Sequence, residues 1–287
     1  MKKDFVVVCI SHQMIPEAFL QELPTKLKSY SPVEQLKFTI TLDDEQFELL
    51  NNTLQDLSRL YQVDVALIPK TIFESKKGLV VFDMDSTLIV QEVIVEMAKI
   101  AGVGDQVKLI TARAMNGEMG FDESLTQRLG LMKGFNRNQM EGILKNLKFT
   151  PGVPEFVSTL RSMGIKTAIA SGGFEYFARD IQKQLQMDYV FANNLEFDGD
   201  LLTGKIVGPI INAEAKEKII IELAQKEGLT LDQVVAIGDG ANDIPMLLKA
   251  GLGIAIHAKE NVQKTARYRI NFGPMTHALG YMNHETL

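Results

Sequence analysis

The chain has 287 residues, 46% hydrophobic and 23% charged, the composition of a globular protein rather than a disordered one. A net charge of -6 and a pI of about 5.4, with no Lys/Arg cluster, argue against a nucleic-acid backbone or an anionic membrane as partner. Cys9 is the sole cysteine, which excludes an intrachain disulfide and a cysteine-based metal cluster and fits a reducing, cytoplasmic setting.

The basic start Met1-Lys2-Lys3 precedes a short apolar run, Phe5 to Ile10, interrupted by Asp4, so a signal peptide is not expected. No run approaches the ~18 apolar residues of a membrane span. Residues 5–10 read as a buried strand and 16–28 as a helix. Leu36, Phe38, Ile40 and Leu42 recur at a period of two, a half-buried strand over 34–42. Asp43 or Asp44 can cap a following helix with Phe47, Leu50, Leu54 and Leu57 on one face. Tyr61 to Ile68 reads as another strand. Residues 1–72 thus form a small α/β domain with the elements to stand alone, and 70–77 reads as the linker.

A different rhythm follows. Apolar strands at 79–82, 167–170, 234–237 and 252–256 alternate with helical patterns and end in small or polar residues. The expected fold is α/β, a Rossmann-like parallel sheet with helices on both faces. Chemistry in such a sheet lies beyond the carboxyl ends of the strands, which selects Asp83, Ser171 and Asp239. About 80 residues separate Asp83 from the next sheet strand, more than one crossover needs. An inserted helical cap over 92–148 accounts for them, with Val93, Met97 and Ile100 on one face and a turn at Asn136 to Asn138. Phe197-Asp198-Gly199-Asp200 reads as a hairpin turn.

The strand ends carry the chemistry. Asp83-Met84-Asp85-Ser86-Thr87 sets two carboxylates close together, so either a cation binds them or one keeps a proton. Phosphoryl transfer uses both solutions: an ionised Asp83 attacks phosphorus, and Asp85 holds the proton that the departing alkoxide needs. Ser171-Gly172-Gly173 offers a hydroxyl and free N–H groups to an anion. Lys216 lies in a helical stretch, Asn212 to Gln225, with Lys205 and Lys218 as competitors for any role. Gly238-Asp239-Gly240-Ala241-Asn242-Asp243 supplies hard oxygen ligands that, with Asp83, suit Mg²⁺.

Taken in this order, the motifs from about 78 to 260 resemble the haloacid dehalogenase-like superfamily, and the acid at Asp85 resembles its phosphatase and phosphomutase branch. The cap resembles that of the phosphoserine phosphatase family. The resemblance implies a phosphatase domain over 78–287. Its catalytic groups are Asp83, Asp85 and Lys216, and Mg²⁺ is held by Asp83, Asp239 and the backbone carbonyl of Asp85. Asp243 orients the metal site, while Ser171, Gly172 and Asn242 contact phosphate. Glu92 holds a substrate ammonium and Arg128 its carboxylate, and Met115 and Phe121 shield the site. The reaction implied is hydrolysis of O-phospho-L-serine through an aspartyl-phosphate, the last step of serine biosynthesis. The alternative is another small phosphomonoester, or phosphotransfer to homoserine. Some members carry an amino-acid-binding domain of the ACT type, which residues 1–72 resemble in size and order. They show three clear strands against four in that fold, so either a regulatory or a dimerisation role, with a homodimer, is expected. His257 reads as structural or solvent-facing, and His12, His277 and His284 find no partner in the pattern.

Overall fold

The computed structural model describes residues 2–23 and 35–284. The first sheet contains β1 (Lys3–Ile10), β2 (Gln35–Leu42) and β3 (Asp64–Pro69), in the antiparallel order β2-β1-β3. Helices α1 (Glu17–Glu22) and α2 (Asp44–Tyr61) connect to it. The part of the expected helix 16–28 beyond residue 23 lies outside the described residues. Asp43 is the α2 cap: its carboxylate accepts from Gln46 N–H while the Gln46 side chain returns to Asp43 N–H.

β1 is buried on both faces, which explains its unbroken apolar run. Phe5, Val7 and Cys9 pack with Phe19, Leu50, Leu54 and Leu57. Val6, Val8 and Ile10 point the other way and join the core that contains Phe82, Phe156 and Tyr281. The first sheet therefore closes its second face with the larger part of the chain. The stretch expected as a linker is partly α3 (Lys70–Glu74).

A buried carboxylate reinforces this junction. Asp64, at the start of β3, accepts from the N–H groups of Asn271 (2.7 Å), Phe272 (3.1 Å) and Gly273 (2.9 Å), and lies 2.8 Å from His277 Nδ1. His277 thus has a partner that the sequence pattern hid.

The second sheet begins with β4 (Leu79–Phe82). The cap follows as α4 (Val93–Ile100), α5 (Gly104–Met115), α6 (Phe121–Gly130) and α7 (Arg137–Leu144). Asn136 is not part of a free turn. It caps α7, accepting from Asn138 N–H while the Gln139 side chain returns to Asn136 N–H. Two backbone bonds join the chain leaving for the cap to the chain returning from it: Val90 N–H to Lys148 O and Thr150 N–H to Leu88 O.

Then come α8 (Val153–Ser162), β5 (Lys166–Phe174), α9 (Glu175–Leu185), β6 (Tyr189–Asp198) and β7 (Leu201–Val207). The remaining elements are α10 (Ala213–Lys226), β8 (Val234–Gly238), α11 (Ile244–Lys249), β9 (Leu252–Ile256), α12 (Glu260–Thr265), β10 (Tyr268–Ile270) and α13 (His277–Tyr281). Strand order is β10-β9-β8-β4-β5-β6-β7, parallel except for the β6/β7 hairpin. Its turn carries Gly199 at a φ of +58°, as a tight hairpin requires.

β4 pairs with β5 on one side and β8 on the other, so the strand order reverses there. Phe82 stands level with Ile169 and Ile237. The segments after these residues therefore meet at one end of the sheet, at the switch point where α/β sheets bind ligands. No described helix is long and apolar enough to cross a membrane.

Candidate active site

Asp83 leaves β4 with its N–H bound to Ile237 O at 2.9 Å, and only 6% of its surface is exposed. Lys216 lies opposite, fully buried. It sits on the inner face of α10 with Ile219, Ile220 and Leu223, three, four and seven positions on. That phase is the signal in the sequence which separates it from Lys218, whose side chain is 76% exposed. Lys216 Nζ donates to Asp83 Oδ1 and Asp243 Oδ1, both at 2.6 Å. Burial alone would lower its pKa, but Asp243 and Asp83 outweigh that and the net shift is upward, so the amine stays charged.

Asp243 spends its other oxygen on the backbone: Oδ2 accepts from Asp239 N–H (3.2 Å) and Gly240 N–H (2.9 Å). Gly238 makes this fit, since a Cβ there would lie 2.5 Å from the Asp243 carboxyl carbon. Asp239 receives the Thr87 hydroxyl on Oδ1 at 3.0 Å. Burial first, then the Asp83 and Asp243 charges, push its pKa up to about 8.

Oxygens of Asp83, Asp239 and Asp243 lie within 4.8 Å of one another, all buried. One lysine does not balance three carboxylates. A divalent cation fits this set by charge and by its hard oxygen donors. The same imbalance makes a pH prediction. A carboxyl raised in the folded state stabilises below its unfolded pKa, near 4, and that contribution is lost as pH climbs to the folded value. Chelated protein should therefore lose thermal stability between about pH 5 and pH 8, and the gain on adding Mg²⁺ should grow over that range. A gain independent of pH in thermal melts would show that no proton is displaced.

Asp85 stands apart from the triad. Burial, followed by the Glu92 and Asp83 charges, holds its pKa well above the usual range, against weaker opposition from Val93 N–H and Lys216. Asp85 is thereby biased toward its protonated form beside a lysine-bound Asp83, the division of roles that a general acid and a nucleophile need. Gly173 allows the approach: a Cβ there would lie 2.4 Å from Asp85 Oδ2.

Ser171 is buried in β5 where its pairing with β6 becomes irregular, and its Oγ accepts from Gly173 N–H at 2.9 Å, which leaves the hydroxyl proton available to an anion. Asn193 was missed in the sequence. It is 1% exposed, donates to Gly172 O (2.8 Å) and accepts from Ile211 N–H (2.8 Å), bracing this loop.

The cap reaches the core at α6. The Phe121 ring lies against Gly172, where a Cβ would meet Phe121 Cζ at 2.7 Å. Next to it, Asn212 Nδ2 donates to both oxygens of Asp122 at 3.2 Å. Arg128 is half-buried and makes no ion pair among the described residues; Nε donates to Ser124 O at 3.2 Å. Burial lowers its pKa, and the nearby Glu92 and Asp85 oppose that. Glu92 is exposed rather than buried, and accepts from Ser86 Oγ at 2.9 Å. Met115, at the end of α5, is 64% exposed. Asn242 folds over Gly240, where a Cβ would lie 2.5 Å from Asn242 Oδ1. His257 is exposed and its Nε2 lies 2.9 Å from Gly273 O.

A lysine-bound carboxylate with a second carboxyl two positions on, at a sheet switch point beneath a helical cap, is the arrangement of the haloacid dehalogenase-like hydrolases, and the chain belongs to that family. Residues 78–251 match the model of that family. The chain is 43% identical over 231 residues to the phosphoserine phosphatase of Archaeoglobus fulgidus, covering 80% of this chain and 67% of that one. It is 36% identical over 301 residues to the phosphoserine phosphatase of Saccharomyces cerevisiae, covering 98% and 97%. A crystal structure of a HAD family hydrolase from Salmonella enterica serovar Typhi superposes with a TM-score of 0.87 at 31% identity, covering 98% and 99%. Within the hydrolases the chain is a member of the phosphoserine phosphatase family.

Proposed function

We infer that the protein hydrolyses O-phospho-L-serine to L-serine and phosphate through an aspartyl-phosphate on Asp83, with Mg²⁺. The observation that carries this reading is the Asp83–Asp85 pair: one carboxylate held by Lys216, the other fixed by Val93 N–H and raised in pKa by its surroundings. An Asp83 oxygen attacks phosphorus and the P–O bond to serine breaks, while Asp85 gives its proton to the serine oxygen. Asp85, now a carboxylate, takes a proton from water. That water oxygen attacks phosphorus, the P–O bond to Asp83 breaks, and phosphate leaves. Asp83, Asp239 and the Asp85 carbonyl would hold Mg²⁺, which supplies positive charge to the phosphoryl oxygens.

The remaining residues bind and orient the substrate. Lys216, Ser171, Asn242 and backbone N–H groups at Gly172 surround the phosphate, with Asp243 steadying the metal side. The guanidinium of Arg128, without an ionic partner among the described residues, suits a carboxylate in two-point contact. Glu92 suits the ammonium. Phe121 shields the reacting centre.

We place this reaction as the last step of serine biosynthesis, in the cytoplasm. Residues 1–72 are proposed as an ACT-like regulatory or dimerisation module, with a homodimer as the corresponding assembly.

A phosphate-release assay over small phosphomonoesters with Mg²⁺ tests the substrate. Phosphoserine is expected to be preferred to phosphothreonine and sugar phosphates, and an absence of preference removes the assignment. Asp83→Asn is expected to lower turnover at least about 10³-fold; near-normal turnover removes the nucleophile.

A further inference from the structure

Ser86 departs from ordinary backbone just where the chain leaves the nucleophile motif. Its φ is +56°, in the left-handed region that favours glycine. The turn is over-determined. The N–H groups of Thr87, Leu88 and Ile89 reach Met84 O at 3.2, 2.9 and 3.1 Å, and Ser86 N–H reaches Gln91 O at 3.3 Å. Held there, the Ser86 hydroxyl donates to Glu92 Oε1 at 2.9 Å. Beside it, Val93 N–H donates to Asp85 Oδ1 at 2.9 Å. Two neighbours after the nucleophile thus each grip one of two neighbours at the start of α4.

We propose that Ser86 is a positioning residue that fixes the Glu92 carboxylate for the substrate ammonium and so sets the preference for amino-bearing phosphate esters. This rests on the ammonium reading of Glu92 given above. Glu92 is exposed and has three side-chain torsions, so an untethered carboxylate would spread over many rotamers. A hydroxyl is suited to hold it. It donates one hydrogen bond and brings no charge of its own, and Glu92 Oε2 has no hydrogen-bond partner among the described residues. A lysine or arginine in the same place would pair with Glu92 and compete with the ammonium. The hydroxyl also accounts for a serine where backbone geometry alone favours glycine.

The test compares O-phospho-L-serine with its deamino analogue, 3-(phosphonooxy)propanoate. Ser86→Gly relaxes the backbone and removes the hydroxyl. It is expected to lower the ratio of kcat/KM for phosphoserine to that for the analogue about tenfold. Ser86→Asn tolerates this φ and restores a donor, so it should recover most of the ratio. Glu92→Gln should lower the ratio by itself, and Ser86→Gly should add nothing further in that background. If Glu92→Gln lowers the ratio and Ser86→Gly does not, the role of Ser86 is overturned while the ammonium reading stands. If Ser86→Gly lowers kcat/KM equally for both esters, Ser86 merely supports the loop and the proposal is again overturned. If Glu92→Gln leaves the ratio unmoved, the ammonium reading itself falls.

Discussion

Lys216→Met is expected to lower turnover at least about 10³-fold and to destabilise the fold by roughly 3 kcal/mol. The side chain is nearly isosteric, so the change is chiefly one of charge. Lys216 is the cation hydrogen-bonded to Asp83 and Asp243, and no solvent reaches it. Without it, three carboxylates within 4.8 Å repel one another in a buried site. They answer by taking up protons, and Asp83 becomes a poorer nucleophile as it does so. The stability loss corresponds to a fall in Tm of roughly 6–10 °C for a chain of this size. Mg²⁺ should restore part of the Tm and little of the turnover. Turnover within tenfold of the parent enzyme, measured by phosphate release, would remove Lys216 from the reaction.

The second large effect is expected far from the reacting atoms. Asp64→Ala leaves three backbone N–H groups and the His277 imidazole without their acceptor, in a region where Asp64 is 1% and His277 4% exposed. Each stranded polar group costs about 1–3 kcal/mol, so a total loss of roughly 4 kcal/mol or more is expected. A thermal melt should show a fall of roughly 10 °C. Asp64→Asn should cost less, because one oxygen still accepts. The same loop donates Met275 N–H to Pro151 O at 2.8 Å, just past the cap, and a Cβ at Gly152 would lie 3.1 Å from Met275 N and Thr276 N. Cap closure should loosen with it, raising KM more than it lowers kcat. A Tm shift below about 2 °C would show that Asp64 is not needed to join the first sheet to the rest.

These two residues differ in how far the sequence announces them. Lys216 was selected by resemblance, but its spacing to Ile219, Ile220 and Leu223 places it on a buried helix face. A lysine on such a face needs buried acids, and Asp83 and Asp243 were already candidates. Asp64 had no comparable sign. Its partner His277 lies 213 positions away, and its other partners are backbone N–H groups, which any residue would supply. The cap divides in the same way. Phe121 and Arg128 share a face of α6 seven positions apart, whereas the contact of Asp122 with Asn212 spans 90 positions. Met115, at the end of α5, is 64% exposed, and its place in the helix pattern alone does not fix which way that face is turned.

By itself the sequence determined the alternation of strands and helices, the acids at strand ends and the length of the insertion. Each is local: an apolar run of fixed period forms an element, and a polar residue directly after it must emerge at the sheet edge. Tertiary structure decided which acid is pushed toward its protonated form, since that depends on burial and on neighbouring charges brought together by strand register. It also decided that the first sheet shares its second face with the catalytic core, and that Glu92 is held by a strained serine rather than enclosed by the cap. Those outcomes depend on distances between parts of the chain that periodicity does not encode.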